Sequence, residues 1–257
     1  MNIEEIKVDD EWEWYLGQLY FKLIENMPKP KVAVELAPGF RYKIALALSE
    51  LGFDGTLFVI DANKDVAEYI KFKYKQILPN AKIECICKTF EKAIDVLPQN
   101  IDIFLANHVI DDLMLESYVN KSYYNQLLSN NKDRERYLSV WNNFSQDKKS
   151  IQEITNELNK TFVKLFNEKN VGKVILSQYK SNLFYQGQDE CIEKIVRKTF
   201  DNLKAFFYFD DWAKEALTFH PFGEDERYLG KELLENTQNI DNWIVGSPKK
   251  RWLWKKE

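Results

Sequence analysis

The chain has 257 residues, of which 45% are apolar and 14% aromatic, enough to build a sizeable core in one large α/β domain or two small ones. The formal net charge of −4 gives no overall electrostatic footprint for nucleic acid or an anionic membrane, and it argues against a bulk nucleic-acid substrate. No apolar run is long enough to span a bilayer, and the acidic opening Met1–Ile6 lacks a signal-type apolar core, so the expectation is a cytoplasmic protein without a membrane span.

The predicted elements alternate. Trp12, Tyr15, Leu16, Leu19, Leu23 and Ile24 fall at helical spacing within 11–26. Pro28 and Pro30 close that helix. Val32–Leu36 reads as a strand, followed by the turn Ala37-Pro38-Gly39 and a helix with Ile44, Leu48 and Leu51 on one face, stopped at Gly52. Strand Thr56–Ile60, a helix carrying Val66, Ile70, Tyr74 and Ile77, strand Lys82–Cys87, a short helix Phe90–Val96 and strand Ile101–Ala106 continue the pattern. This rhythm implies right-handed βαβ units and a mostly parallel sheet.

Residues 117–169 break the rhythm with a polar segment rich in Asn, Lys, Ser and Tyr, then a helical stripe of Ile151, Ile154, Leu158, Phe162 and Leu165. The expectation is a helical insertion or lid, with a solvated connecting helix pair or a dimer element as the alternatives. Strands at Val174–Ser177, Ala205–Phe209 and Trp243–Val245 complete the sheet, with a helix through Cys191, Ile195, Val196 and Thr199 and an irregular stretch around His220. With no repeats and no low-complexity linker, residues 1–257 read as one elaborated domain. Cys85, Cys87 and Cys191 have no zinc spacing, so no metal is expected and they read as buried free thiols in a reducing compartment. The tail from Lys249 to Lys256 is basic and aromatic and reads as a terminal strand with a cationic edge.

Two acid-bearing strand ends carry the chemistry. Strand one runs Val32-Ala33-Val34-Glu35-Leu36 into the Gly39 turn, and strand two runs Thr56–Ile60 into Asp61. Such a pair can hold an adenosine-type cofactor at the carboxyl edge of a parallel sheet, with the second acid on the ribose hydroxyls. Each acid also has a plainer reading, as a capping carboxylate for the helix that follows it.

On Glu35-Leu36-Ala37-Pro38-Gly39-Phe40, on Asp61, and on Asn107-His108-Val109-Ile110-Asp111-Asp112-Leu113, the chain resembles the class I S-adenosylmethionine (SAM)-dependent methyltransferases from about Val32 to Val245. The resemblance implies a Rossmann-like α/β fold: a mostly parallel seven-stranded sheet with helices on both faces and helical insertions. It implies SAM as cofactor, held by Glu35, Ala37, Gly39, Asp61, Ala62, Thr89, Phe90 and Asn107, with Thr89 and Phe90 against the adenine. His108, Asp111 and Asp112 stand where the acceptor would be deprotonated or oriented; the alternative is that His108 packs near the adenosine while Asp111 and Asp112 cap the next helix. The turn departs from the family by keeping only Gly39, with Ala37, Pro38 and bulky Phe40 where glycines or small residues are usual. The reaction implied is methyl transfer to a small-molecule or protein side-chain acceptor, and a homodimer stays open. The alternatives are transfer of another group of the same cofactor, such as aminocarboxypropyl, or a non-catalytic binding or assembly protein on this fold.

Overall fold

The structure is a computed structural model and describes residues 10–119, 134–179, 190–218 and 231–249. In chain order the elements are α1 (Asp10–Ile24), β1 (Val32–Leu36), α2 (Lys43–Glu50), β2 (Thr56–Ile60), α3 (Lys64–Ile77), β3 (Lys82–Ile86), α4 (Phe90–Ile94), β4 (Asn100–Asn107) and α5 (Ile110–Tyr118). They continue with α6 (Arg134–Gln146), α7 (Lys148–Glu168), β5 (Asn170–Ser177), α8 (Glu190–Lys204), β6 (Phe207–Phe209), α9 (Ala213–Ala216), α10 (Lys231–Gln238) and β7 (Trp243–Pro248).

The strands form one seven-stranded sheet in the order β3-β2-β1-β4-β5-β7-β6. All the other neighbouring pairs are parallel, while β7 runs antiparallel to both β5 and β6. This is the Rossmann-like arrangement expected of the class I methyltransferase fold. The central strands are apolar on both faces, as a parallel sheet covered on both sides requires. Ala33, Leu57, Val59, Ile103, Leu105 and Ile175 pack toward α1, α2 and α3. Val34, Leu36, Ile60, Phe104, Ala106, Val174 and Leu176 pack toward α4, α5, α6, α7 and α8.

The described part of 117–169 differs from the lid expectation. Helix α7 is the crossover that carries the chain from β4 back to parallel β5, and Phe162 and Leu165 are fully buried in the core against the sheet. Phe162 meets Phe90 at 4.9 Å and Phe104 at 6.4 Å between ring centroids. Helix α6 brings Trp141 and Phe144, both fully buried, into the same cluster. Polar residues such as Asn142, Asn143, Lys148, Lys149, Asn156 and Lys160 lie exposed on these helices, and others fall in 120–133, outside the described residues.

Smaller differences share one cause, the position of a strand in the sheet. β6 is shorter than read from sequence, Phe207–Phe209, because Ala205 and Phe206 turn off α8, and Tyr208 and Phe209 lie exposed on the sheet edge. Cys85 is half-buried and Cys87 exposed, where buried thiols were expected, because β3 is the opposite edge. The Cys191 side chain, His220 and the tail beyond Lys249 lie outside the described residues. Among those described, no helix is long and apolar enough to cross a membrane.

Truncating Phe162 tests the placement of α7. Phe162→Ala should cost about 3–5 kcal/mol, the range for emptying a packed aromatic site, measured by urea denaturation with an unchanged slope. A loss below about 1 kcal/mol, typical of a surface position, would return α7 to the role of a detachable flap.

Candidate cofactor and acceptor site

The crossovers leaving β1 and β4 depart in opposite directions, so the carboxyl ends of these neighbouring strands open a crevice, the usual ligand position in such sheets. Both lips of the crevice contain a non-glycine residue in the left-handed region: Ala37 after β1, at φ +48°, and His108 after β4, at φ +56°. Each costs about 1–2 kcal/mol of backbone strain, and strain of this kind collects at functional sites. The Ala37 amide donates to the Ile60 carbonyl at 2.7 Å and the His108 amide to the Ser177 carbonyl at 2.8 Å, which locks both turns to neighbouring strands. The turn thus reaches its conformation at Ala37 without the missing glycine. Gly39, at φ +58°, retains the freedom that matters, and a Cβ built there meets no atom within 4 Å, so its backbone faces open space.

Asp61 joins the first two strand ends. Its Oδ2 accepts from the Gly39 amide at 3.3 Å and its Oδ1 from the Asn63 amide at 2.8 Å. Asn63, rather than Asp61, caps α3, accepting from the Asp65 amide. Each carboxylate oxygen can take more than one hydrogen bond, so this grip on the turn is compatible with a vicinal diol. Ala62 sits half-buried beside it.

Glu35 occupies a different place from the one expected. Its side chain is 2% exposed and points into the α1–α3 side of the sheet, where the Tyr74 hydroxyl donates to Oε2 at 2.9 Å. Burial pushes its pKa up to about 8, against the opposing pull of the Tyr74 hydrogen bond and the Lys43 charge. It therefore braces the turn from beneath as a protonated acid. Phe90 is likewise packed in the core, 5% exposed between Phe104 and Phe162. Thr89 is half-buried at the start of α4 and makes no capping hydrogen bond with its side chain.

Asn107, His108 and Asp111 come together at the end of β4. Asn107 Nδ2 donates to the Tyr179 hydroxyl at 3.1 Å, and its Oδ1 accepts from Ser177 Oγ at 3.1 Å. The Tyr20 hydroxyl, from α1, donates to the Ala106 carbonyl at 2.9 Å and lies 3.2 Å from Ser177 Oγ. The His108 ring packs on Tyr179 with centroids 4.8 Å apart, its Nδ1 stands 3.4 Å from Asp111 Oδ1, and its buried Nε2 has no hydrogen-bond partner. Burial works against the imidazolium, but the Asp111 charge and hydrogen bond, with Asp112 adding to them, outweigh it and raise the His108 pKa. For Asp111, burial acts upward and is outweighed by His108 and by the Gln178 amide, which lower its pKa. Asp112 is half-buried in the first turn of α5.

Three supporting residues escaped the sequence reading: Glu13, Tyr74 and Gln178. Gln178 Oε1 accepts from the Ile110 amide at 2.9 Å and its Nε2 donates to Asp111 at 3.3 Å. Tyr74 stood on the apolar stripe of α3, and Glu13 left a signal of its own, an acid three and seven residues before Leu16 and Tyr20 on the apolar face of α1. Among the described residues, no group of three or more His, Cys, Asp or Glu is arranged to hold a metal ion.

No protein-family model and no curated protein matches the chain. Solved structures of similar architecture include the bifunctional kinase-methyltransferase WbdD, at 12% identity and a TM-score of 0.41 over 73% of this chain and 32% of that one, so this chain spans about a third of its length. A spermidine synthase in complex with the transition-state analogue AdoDATO aligns at 9% identity and 0.43 over 89% of this chain and 70% of that one. The cyclopropane synthase MmaA2 from Mycobacterium tuberculosis aligns at 10% identity and 0.38 over 93% of this chain and 80% of that one.

The Glu35 placement has a pH signature. Between glutamate's ordinary 4.5 and about 8, the folded chain holds a proton that the unfolded chain has released. This contribution to stability is therefore fully present below the unfolded value and is lost as pH rises through the folded one. Glu35→Gln should melt with a flatter pH dependence than the unaltered protein from about pH 5 to about pH 8. Equal slopes in calorimetric scans would refute the buried, protonated acid.

Proposed function

We propose that the chain is a SAM-using transferase that moves a methyl group to a small-molecule or protein side-chain acceptor. One observation carries the reading: the acid ending β2, Asp61, reaches the open Gly39 turn, at the same sheet edge where His108 and Asp111 pair at the end of β4. A nucleoside site and a proton-accepting pair then share one crevice.

SAM, when bound, supplies the methyl group on a sulfonium centre that is already activated for displacement. What remains for the protein is to position the reactants and, for a protonated acceptor, to remove a proton. Asp61 offers a carboxylate to the ribose hydroxyls, and Gly39 admits the ligand close to the backbone. Ala37, Ala62, Thr89 and Asn107 stand at the ends of the same four strands. With its Nδ1 proton directed to Asp111, His108 keeps Nε2 as the atom that accepts the acceptor's proton, and Gln178 and Tyr179 fix the pair in orientation. Asp112 adds negative charge that favours a cationic acceptor or the imidazolium formed from His108. The left-handed turn at Ala37 supports this reading over that of a scaffold with a collapsed cofactor loop.

Asp61→Ala should weaken SAM binding in calorimetric titration by roughly 1–3 kcal/mol, the scale for losing hydrogen bonds to a charged group, in protein that remains folded. Unchanged affinity would remove Asp61 from the cofactor site. Turnover should yield S-adenosylhomocysteine, whereas methylthioadenosine would identify aminocarboxypropyl transfer.

The rate should also rise with pH as His108 loses its proton, with a midpoint above histidine's ordinary 6.5 because Asp111 stabilises the imidazolium. Asp111→Asn removes that stabilisation and should move the midpoint downward. A midpoint indifferent to Asp111 would exclude His108 as the base.

A further inference from the structure

The N-terminus of α2 follows the Gly39 turn, and in nucleotide-binding sheets the helix end after the first strand is where a pyrophosphate sits, on free backbone amides and the positive end of the helix dipole. The parts of such a site are all present here. The amides of Tyr42 and Lys43 point out of the helix end, no side chain of α2 caps them, and its first turn holds no acid. The cationic groups of Arg41 and Lys43 stand beside them. The position is nevertheless filled, by a carboxylate from another element. Glu13 Oε2, from α1, accepts from the Tyr42 amide at 2.6 Å and the Lys43 amide at 2.9 Å, while its Oε1 lies 3.6 Å from Lys43 Nζ and 3.8 Å from Arg41 Nη1.

We propose that Glu13 is a specificity-determining residue: it fills the anion position at the N-terminus of α2 with the chain's own carboxylate, closing the site to phosphate-bearing nucleotides and leaving it to adenosyl ligands without phosphate. This rests on the reading of the sheet edge as a nucleoside site.

The occupant is fixed in place. Glu13 is fully buried, and so are its neighbours Tyr15, Leu16, Leu19 and Tyr20. At Gly17 the helices approach so closely that a Cβ would stand 3.1 Å from the Lys43 carbonyl oxygen. Asp10, one turn earlier, accepts from the Tyr42 hydroxyl. A phosphate would have to displace a carboxylate already tethered at the site. A sulfonium or ammonium group meets no such opposition. A nucleoside diphosphate needs the position that Glu13 holds; an adenosyl sulfonium needs only the turn and Asp61.

The test is calorimetric titration of the unaltered protein, Glu13→Ala and Glu13→Gln with inorganic pyrophosphate, ADP and SAM at low ionic strength, with a melting scan to confirm folding. The alanine variant empties the position; the glutamine variant keeps an acceptor for the two amides and removes the charge, so it remains informative if the alanine variant does not fold. The unaltered protein should bind neither pyrophosphate nor ADP at millimolar concentration, and the folded variants should bind both at least tenfold more tightly. Variants that fold but bind pyrophosphate no better than the unaltered protein, or an unaltered protein that already binds ADP well, would overturn the proposal and leave Glu13 as a structural cap. SAM is the separate arm: failure of the unaltered protein to bind it would sink the proposed function, whereas a gain of pyrophosphate binding on losing Glu13 would still stand.

Discussion

The crevice between β1 and β4 is the constraint around which the molecule is arranged. Parallel neighbours whose crossovers depart in opposite directions leave a gap at their carboxyl ends that no helix of the βαβ units fills. Polar backbone groups at that gap need partners, and the surrounding elements supply them. Tyr20 from α1 caps the Ala106 carbonyl, Ser177 and Ile60 hold the amides of His108 and Ala37, and Asp61 takes the Gly39 amide. The two left-handed residues on the lips are held in strained conformations by those bonds, which is how a packed scaffold imposes a local cost where a ligand would bind.

Helix α1 ties this edge together although it precedes the sheet in sequence. Its apolar face packs on α2, Tyr20 reaches the β4–β5 boundary, Trp12 meets Tyr179 edge-on at 6.1 Å between centroids, and Glu13 closes the end of α2. The result is an edge dense in carboxyl groups whose charge states are set apart by environment. Glu35 is buried and held neutral, while Asp111 is buried with a histidine and held ionised. Burial opposes ionisation in both, and the nearest partner decides the outcome. Tyr74 offers Glu35 one neutral hydrogen bond, whereas His108 and Gln178 offer Asp111 a cation and an amide.

The motif residues differ in how well their roles were legible. The positions of Asp61 and Gly39 were legible, because both depend on local chain geometry: an acid at a strand end, and a turn needing positive φ. The surroundings of Glu35 and Phe90 were not, because the partners of an acid inside β1 and of the first residue of α4 are set by packing, and only the finished core shows that Tyr74 and Phe162 stand opposite them. The packing of 117–169 was hidden for a related reason. Its polar composition reports the solvated faces of α6 and α7, while the few apolar positions that matter, Trp141, Phe144, Phe162 and Leu165, are spread through it and acquire meaning only once the sheet is beneath them.

The sequence by itself determined the alternation of strands and helices, the ends of β1 and β2 to the residue, and the positions of an acid after β2 and a glycine turn after β1, since these follow from periodicity and from the conformational limits of Pro and Gly along a few consecutive residues. The tertiary structure alone decided that Glu35 meets Tyr74 while Asp61 meets the Gly39 amide, that the His108–Asp111 pair is held by Gln178, 67 residues from Asp111 and just past β5, and that the end of α2 is occupied by Glu13. The physical reason is that each of these depends on desolvation and on partners distant in the chain. The pattern that makes Glu13 a residue of the apolar face is local, but the two amides and two cations that compensate its burial come together only when α1 packs across α2.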